Sequence, residues 1–348
     1  MRKIIYLLIT ASLVTACGSK LAPVSKNALK PTVVTQATPH DTDDPAIWIN
    51  KAEPSKSLII GTDKQEATGG LYVYDLQGTI VNKVYPLDRP NNVDIAYGLV
   101  INGKKTDIAV VTERKKNLIR VYSLPGLESL DNGGIAVFAD SEQKDPMGIA
   151  LYTDPVTSKI FAIVGRKEGV SGEYLYQYEL TGAAGTVKAD LVRKFGNYSG
   201  KKEIEAIMVD NELGYVYYAD ETSGIRKYYA DPKKGNEELA FFGQKDFKRD
   251  HEGIALYKTS EKQGYILISD QQANRFAVYA REGNTNAHDH KMIASIPFSS
   301  VECDGADAVN FNFGTPFSKG IFVAMSNGKV FQFYDWDVIQ REIDKQAR

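Results

Sequence analysis

The chain has 348 residues, a formal net charge of −2 from 42 basic and 44 acidic residues, and two cysteines. With no excess of lysine or arginine to neutralise a phosphate backbone, this balance excludes a protein that binds nucleic acid through bulk electrostatics. The length fits either two average domains or one closed all-β domain.

The first seventeen residues have the features of an export signal. Arg2 and Lys3 form a basic start, and residues 4–14 are mostly apolar but too few to span a bilayer. The segment Val14-Thr15-Ala16-Cys17 is typical of a bacterial lipobox, in which the cysteine is acylated. We therefore predict an exported bacterial lipoprotein, either periplasmic or anchored at the outer membrane or cell surface. An ordinary signal peptide with an incidental cysteine is the alternative.

The rest of the chain divides into two parts. Residues 18–38 are rich in Lys, Ser, Thr, Pro and Ala without periodicity, which predicts a flexible tether. Residues 39–348 show no further boundary and are predicted to form one domain. If Cys17 carries lipid, Cys303 has no partner within the chain for a disulfide.

A short motif with an acidic or polar head and an apolar tail recurs about every fifty residues in this domain. The six copies begin near Asp43-Asp44, Asn92, Met147, Glu205, Glu252 and Asp304. If these are equivalent strands of a closed repeat, their carboxylates converge on one axis and repel each other unless a cation lies among them. A metal site is therefore our first hypothesis.

The strands that follow each head predict the fold. The second strand of each unit is a nearly continuous apolar or aromatic run, which indicates burial on both faces. Alternation in the third strand, as in Leu71-Tyr72-Val73-Tyr74, predicts that this strand is half-exposed. Six units of this period predict an all-β, six-bladed β-propeller of mostly antiparallel four-stranded blades. A β-helix is the alternative, but its repeats are much shorter.

The turns between second and third strands also recur in register, and in a propeller they share one end of the channel with the heads. In the first three units these turns carry Lys64, Arg114 and Lys167, and in the next two they carry Glu221 and Gln271. The sequence thus predicts a basic arc facing a cage of hard oxygens, which suits Ca²⁺ better than zinc. Four histidines without paired spacing argue against a zinc site.

A basic arc facing several divalent cations suits a multiply phosphorylated small molecule. Cations neutralise phosphate oxygens and activate water, while lysine and arginine hold the remaining phosphates. The alternative is that the basic residues are solvated turn residues and that the acidic heads cap turns through backbone hydrogen bonds.

These residues together resemble the β-propeller phytases, calcium-dependent phosphatases that act on myo-inositol hexakisphosphate. The resemblance extends from His40 to about Trp336. Its most specific segments are residues 43–48, 91–95, 167–169 with 176–180, 250–253 and 304–307. Each segment is weak alone, but their order and spacing indicate the family fold.

The resemblance implies roles for individual residues. Active-site calcium ions would be held by Asp43, Asp44, Glu205, Glu221, Asp250, Glu252, Gln271 and Asp304. Substrate phosphates would be bound by Lys64, Arg114 and Lys167. Glu205, Asp43 and Asp44 would take part in catalysis, in which a calcium-bound water attacks phosphorus without a phospho-enzyme.

Two features depart from the family pattern. Met147 stands where the family usually has an active-site tyrosine, and the sixth blade lacks an acidic loop and an Asn-rich insertion. We therefore expect fewer calcium ions than in the family. The alternatives are a non-catalytic calcium-binding surface propeller for a polyanion or protein, and a propeller that hydrolyses another ester. We expect a monomer attached to the membrane only by its N-terminal lipid.

Overall fold

The structure is a computed structural model that describes residues 21–347. The predicted signal peptide and Cys17 lie outside these residues. The described chain contains 24 strands arranged in six four-stranded antiparallel sheets, the blades of a propeller. The predicted all-β six-bladed fold is therefore confirmed.

Within blades one to five the chain runs from the inner to the outer strand. Blade 1 contains β2 (Thr42–Trp48), β3 (Leu58–Asp63), β4 (Gly69–Tyr74) and β5 (Ile80–Leu87). Blade 2 contains β6 (Pro90–Ile101), β7 (Lys104–Glu113), β8 (Leu118–Leu124) and β9 (Ile135–Ala136). Blade 3 contains β10 (Pro146–Thr153), β11 (Ile160–Arg166), β12 (Leu175–Ala183) and β13 (Thr186–Phe195).

The second half of the ring repeats this order. Blade 4 contains β14 (Ile207–Asp210), β15 (Tyr215–Asp220), β16 (Gly224–Tyr229) and β17 (Ala240–Phe242). Blade 5 contains β18 (His251–Lys258), β19 (Gly264–Asp270), β20 (Arg275–Ala280) and β21 (Met292–Pro297). Blade 6 contains β22 (Ala306–Val309), β23 (Ile321–Ser326), β24 (Val330–Asp335) and, at its outer edge, β1 (Val33–Val34). The inner strands of successive blades contact one another around the ring, and β22 returns to β2.

An early segment of the chain completes the last blade. In β1, Val33 pairs with Phe333 of β24, and the Thr35 hydroxyl accepts a hydrogen bond from the Phe331 N–H at 2.9 Å. The sequence placed residues 18–38 in a tether, whereas the structure incorporates residues 33–34 into a sheet. Two adjacent valines favour a strand, and the outer edge of β24 offers backbone groups to pair with.

The inner strands begin with β-bulges that shape the channel mouth. In blades 1, 2, 3 and 5 the register with the second strand shifts by one residue at the head of the inner strand. Asp43 and Asp44 occupy the bulge of blade 1, and Glu252 occupies that of blade 5. Because a bulge re-aims side chains at a strand end, these heads are directed differently from the rest of the strand.

The core consists of the layers between blades. The second strands are almost fully buried, as predicted, for example all of β11 and β23. The third strand of blade 1 is also buried, so the prediction of half-exposure is wrong there: Tyr72 and Tyr74 of β4 are 5% and 0% exposed. In β8 and β24, by contrast, buried residues are interspersed with half-buried ones. The fourth strand β5 is the exposed one, since it forms the rim and covers the edge of β4.

The described chain contains one α-helix, α1 (Trp336–Gln346), which follows the last blade. Short 3-10 turns occur elsewhere in the propeller, at Pro54–Lys56, Arg114–Lys116, Pro232–Lys234 and Gln271–Ala273. Trp336, Ile339 and Ile343 form the buried face of α1, and the Trp336 ring stacks on Tyr257 of blade 5. The Asp335 carboxylate caps the helix by accepting from the Asp337 N–H. Among residues 21–347, no helix has the length and apolar character needed to cross a membrane.

Candidate active site

A cavity of about 180 Å³ lies at one end of the channel, where the inner-strand heads meet the turns between second and third strands. Its walls are almost entirely polar. The lining residues are Lys64, Arg89, Asn91, Arg114, Met147, Lys167, Lys202, Glu203, Glu205, Glu252, Gln271 and Asp304. The structure therefore brings the predicted basic residues and four of the predicted oxygen ligands into one cavity.

The first of two carboxylate clusters surrounds Lys64. Its Nζ donates to Asp43 Oδ1 at 2.8 Å and to Asp304 Oδ2 at 2.5 Å. The Asn91 amide donates to Asp43 Oδ2 at 3.1 Å and to Glu205 Oε1 at 2.8 Å. This network ties heads from four blades together around one ammonium group.

The second cluster surrounds Lys202, which lies in the loop before blade 4. Its Nζ is 2.5 Å from Glu221 Oε2, 3.2 Å from Asp250 Oδ2 and 3.4 Å from Glu252 Oε1. Gln272 holds Asp250 in place, since its Nε2 donates to Asp250 Oδ2 at 2.8 Å. Glu221 and Asp250 do not line the cavity but lie behind its wall, bonded to residues that do.

Gln271 connects the two clusters. Its Nε2 donates to Glu252 Oε2 at 3.0 Å and to Asp304 Oδ1 at 2.5 Å. Its Oε1 accepts from the Gln272 side chain at 2.7 Å. The predicted oxygen ligands Glu252 and Asp304 of blades 5 and 6 are thus linked through the Gln271 amide.

Burial is the main influence on the protonation of these carboxylates. It raises the pKa of Glu205 to about 8, reinforced by the charge of Asp43, and that of Glu221 to about 8 in spite of Lys202. Burial also raises the pKa of Asp43 and, with the charge of Asp304, that of Glu252. At Asp304 burial is outweighed by the charge of Lys64 and by hydrogen bonds, so its pKa is lowered.

Asp44 is separated from the other predicted ligands. Its Oδ2 accepts from the Val93 N–H of blade 2 at 3.1 Å. It lines a different cavity of about 190 Å³, deeper in the channel, together with Asn92, Asp94 and Asp307. The two consecutive residues in the bulge of blade 1 therefore occupy different parts of the channel. Asp43 lies at the mouth of the channel, and Asp44 lies in its interior.

The basic residues predicted to bind phosphate differ in their surroundings. Lys64 is engaged by two carboxylates, whereas Arg114 is 3.8 Å from Asp145 and Lys167 is 3.7 Å from Glu203. Arg114 is buried and Lys167 is partly exposed. Met147 is buried in the same wall, where its side chain offers no oxygen ligand.

The oxygen donors suit a hard divalent cation. Glu221, Asp250 and Glu252 offer carboxylate oxygens within 4.8 Å of one another, as do Glu203, Glu205 and Glu221. Glu221 Oε1 is buried and accepts no hydrogen bond. Carboxylate and amide oxygens at this density, without a sulfur or imidazole ligand, fit Ca²⁺.

Sequence reasoning missed several residues of the site. Asn91 precedes the head that we identified in blade 2, and its position in the repeat could have indicated its role. Lys202 and Glu203 lie in a loop outside the repeat register, and no local pattern marks them. Arg89 lines the cavity one residue before β6 and has no counterpart among the predicted turns.

Comparison with known proteins identifies the family to which this chain is similar. A family model described as Phytase matches residues 3–346 of the chain. The 3-phytase of Bacillus subtilis (strain 168) is 31% identical over 328 residues, which cover 86% of this chain and 81% of the relative. Among solved structures, the crystal structure of BBS1N in complex with ARL6DN, soaked with lead, matches with a TM-score of 0.50 and 11% identity, over 83% of this chain and 77% of that chain. At such low identity this last likeness shows the fold alone.

The fold and site define a β-propeller whose channel ends in a cavity of carboxylates and cationic side chains, an arrangement suited to phosphate esters. The family model and the relative allow a more specific statement. The chain belongs to the phytase family, and it is a phosphoric monoester hydrolase.

Proposed function

We propose that this protein releases phosphate from myo-inositol hexakisphosphate, or from related inositol phosphates, in a calcium-dependent reaction. The observation that carries the proposal is that Lys64, Arg114 and Lys167 line the same cavity as Glu205, Glu252 and Asp304. The relative from Bacillus subtilis, named a 3-phytase, supports the choice of substrate.

The two clusters have distinct tasks in this proposal. Calcium would be held by Asp43, Glu205, Asp304, Glu221, Asp250, Glu252 and Gln271. Asp44 would support this site from the channel interior, where it connects blade 1 to the Val93 N–H of blade 2. Bound calcium supplies charge neutralisation of phosphate oxygens and activates a water for direct attack on phosphorus. Arg114 and Lys167, which have only long ionic contacts, are available to hold the phosphates of the substrate.

The composition of the cavity supports direct attack by water. Among the described residues that line it there is no serine, threonine, cysteine or histidine. Serine, threonine, cysteine and histidine nucleophiles are therefore missing from the described walls, and the carboxylates Glu205, Glu252 and Asp304 serve as calcium ligands in this proposal.

The decisive test is phosphate release from phytate as a function of calcium. We expect release to require calcium, to stop on chelation, and to fall roughly 100-fold or more in Glu205→Gln, because the substitution removes a charge needed only when the ion and phosphate are bound. Glu261→Gln, at an exposed position, is the control and should behave like the wild type. No release at any calcium concentration would refute the proposal.

We also propose that the protein is exported and anchored through lipid on Cys17. The basis is the lipobox-like segment that ends at this residue. Metabolic labelling with a radioactive fatty acid should label the wild type but not Cys17→Ser, and absence of label from the wild type would contradict the anchor.

A further inference from the structure

Lys202 lies where a cation is expected. Its ammonium is within 3.4 Å of carboxylate oxygens from three residues, Glu221, Asp250 and Glu252. The same three carboxylates form one of two oxygen groups among residues 21–347 that are compact enough to hold a metal ion. A lysine side chain therefore occupies the middle of a candidate calcium site.

The lysine satisfies this site incompletely. Glu221 is 1% exposed, yet its Oε1 is buried without accepting a hydrogen bond. An ammonium group has three donors, whereas Ca²⁺ takes six to eight oxygen ligands. Because Glu221 Oε1 has no hydrogen-bond partner beside Lys202, the site suits a cation that binds more oxygen atoms than an ammonium group does.

The side chain of Lys202 also has space for a second position outside the carboxylate cluster. The side chain is 31% exposed and lines two cavities, the site itself and a neighbouring one of about 410 Å³ that is bordered by Lys167 and Tyr198. A flexible four-carbon stem can move its charge by several ångströms at little cost. The neighbouring cavity shares Lys167 and Glu203 with the cavity where phosphates would bind.

We propose that Lys202 is a tethered counter-ion that calcium displaces. Without calcium, its ammonium offsets part of the negative charge of Glu221, Asp250 and Glu252. With calcium in this position, the ammonium would turn toward the substrate phosphates. The inference rests on the calcium-dependent function proposed above. It adds that this chain carries its own competitor for one calcium position.

Calcium binding without substrate tests the inference. We would titrate CaCl₂ into protein stripped with EDTA and follow the heat of binding and the melting temperature. Lys202→Gln is expected to bind calcium about tenfold more tightly than the wild type, since the ion no longer has to displace a charge. Without calcium this variant should melt at a lower temperature, and saturating calcium should abolish the difference. Lys201→Gln, at the exposed neighbouring residue, is the matched control and should behave like the wild type.

The outcomes separate this inference from the proposed function. Unchanged calcium affinity and an unchanged calcium-induced melting shift in Lys202→Gln overturn it. Lys202→Arg retains the charge and should bind calcium no more tightly than the wild type, so tighter binding by this variant also overturns it. If no variant binds calcium, both proposals fail together. Tighter calcium binding by Lys202→Gln, in the absence of phytate hydrolysis, supports the inference and refutes only the enzymatic proposal.

Discussion

Six buried or half-buried carboxylates lie with two lysines at the channel mouth. Lys64 contacts Asp43 and Asp304, and Lys202 contacts Glu221, Asp250 and Glu252. The sixth carboxylate, Glu205, accepts a hydrogen bond from the Asn91 amide. Negative charge exceeds positive charge in a region poorly accessible to water. Burial, reinforced by this excess of negative charge, raises the pKa values of Glu205 and Glu221, and a bound divalent cation would lower them.

This imbalance predicts how stability depends on pH. The pKa values of Glu205 and Glu221 are about 8, against an ordinary 4.5. Between these values the folded metal-free protein holds protons that the unfolded chain has released, so the free energy of unfolding falls as pH rises. The lowered pKa of Asp304 and the raised pKa of Lys64 act below and above this window.

We expect the melting temperature in EDTA to fall between about pH 5.5 and pH 8.5, and to fall much less with saturating calcium, which binds the ionised carboxylates. Thermal scans across this range with and without calcium provide the measurement. Parallel curves in the two conditions would show that these carboxylates do not bind the ion.

Asn91 is the residue that links Asp43 to Glu205. Asn91→Ala should lower the calcium affinity and the rate of phosphate release, because the two carboxylates lose their common donor and separate. Loss of these two buried hydrogen bonds should also cost about 1–3 kcal/mol of stability. Calorimetric titration and denaturant unfolding measure the two effects, with the exposed Asn82→Ala as control. If Asn91→Ala bound calcium with the affinity of the wild type, Asn91 would not be needed to position the two carboxylates.

Among the elements, the bulged starts of the inner strands do most to shape the site. Neighbouring heads approach so closely that small residues are needed beside the ligands. A Cβ placed on Gly305 would lie 2.4 Å from Asp44 Oδ1, so this position next to Asp304 excludes any larger side chain. Bulge and glycine together let heads from several blades meet at one cavity.

The strand β1 is the element that closes the ring, and its removal is testable. A chain that starts at residue 39 lacks β1 and exposes the outer edge of β24. We expect its melting temperature to be roughly 5 °C or more below that of a chain starting at residue 21, and its tendency to aggregate to increase. Calorimetry and light scattering on both chains measure this. Equal melting temperatures would mean that β1 does not contribute to the closure.

At the scale of the whole molecule, the described chain begins on the rim of the site. The Ala22 N–H donates to Gln272 O at 2.8 Å, and the Asn274 amide donates to Ala22 O at 2.7 Å. Gln272 in turn binds Asp250 of the second cluster. Residues 17 and 21 are four positions apart, a span of at most about 14 Å. A lipid on Cys17 would therefore hold the cavity close to the membrane surface.

This placement predicts that anchoring restricts access to a soluble substrate. Lipidated protein on phosphatidylcholine vesicles should hydrolyse phytate severalfold more slowly than the same chain without lipid. A flexible glycine-serine linker of about 20 residues, inserted after Lys20, should restore the rate because it lets the propeller move away from the bilayer. The comparison uses initial rates at saturating calcium, and equal rates for all three proteins would contradict this orientation.

The repeat, the six blades and most of the residues that line the cavity could be predicted from the sequence, because they depend on periodic patterns that each unit carries locally. Heads and turns could be assigned to one end of the channel from their register alone. Resemblance to the family then supplied the roles that spacing could not.

The way in which these parts meet became apparent only in the folded chain. The tertiary structure turned Asp44 into the channel while Asp43 remained at the mouth, and it brought Lys202 and Asn91 among the carboxylates. It also buried β4 and added Val33–Val34 to the last blade. These outcomes depend on contacts between blades, or between a blade and a segment outside the repeat. Such contacts join residues that are far apart in the chain, so local patterns could at most suggest them.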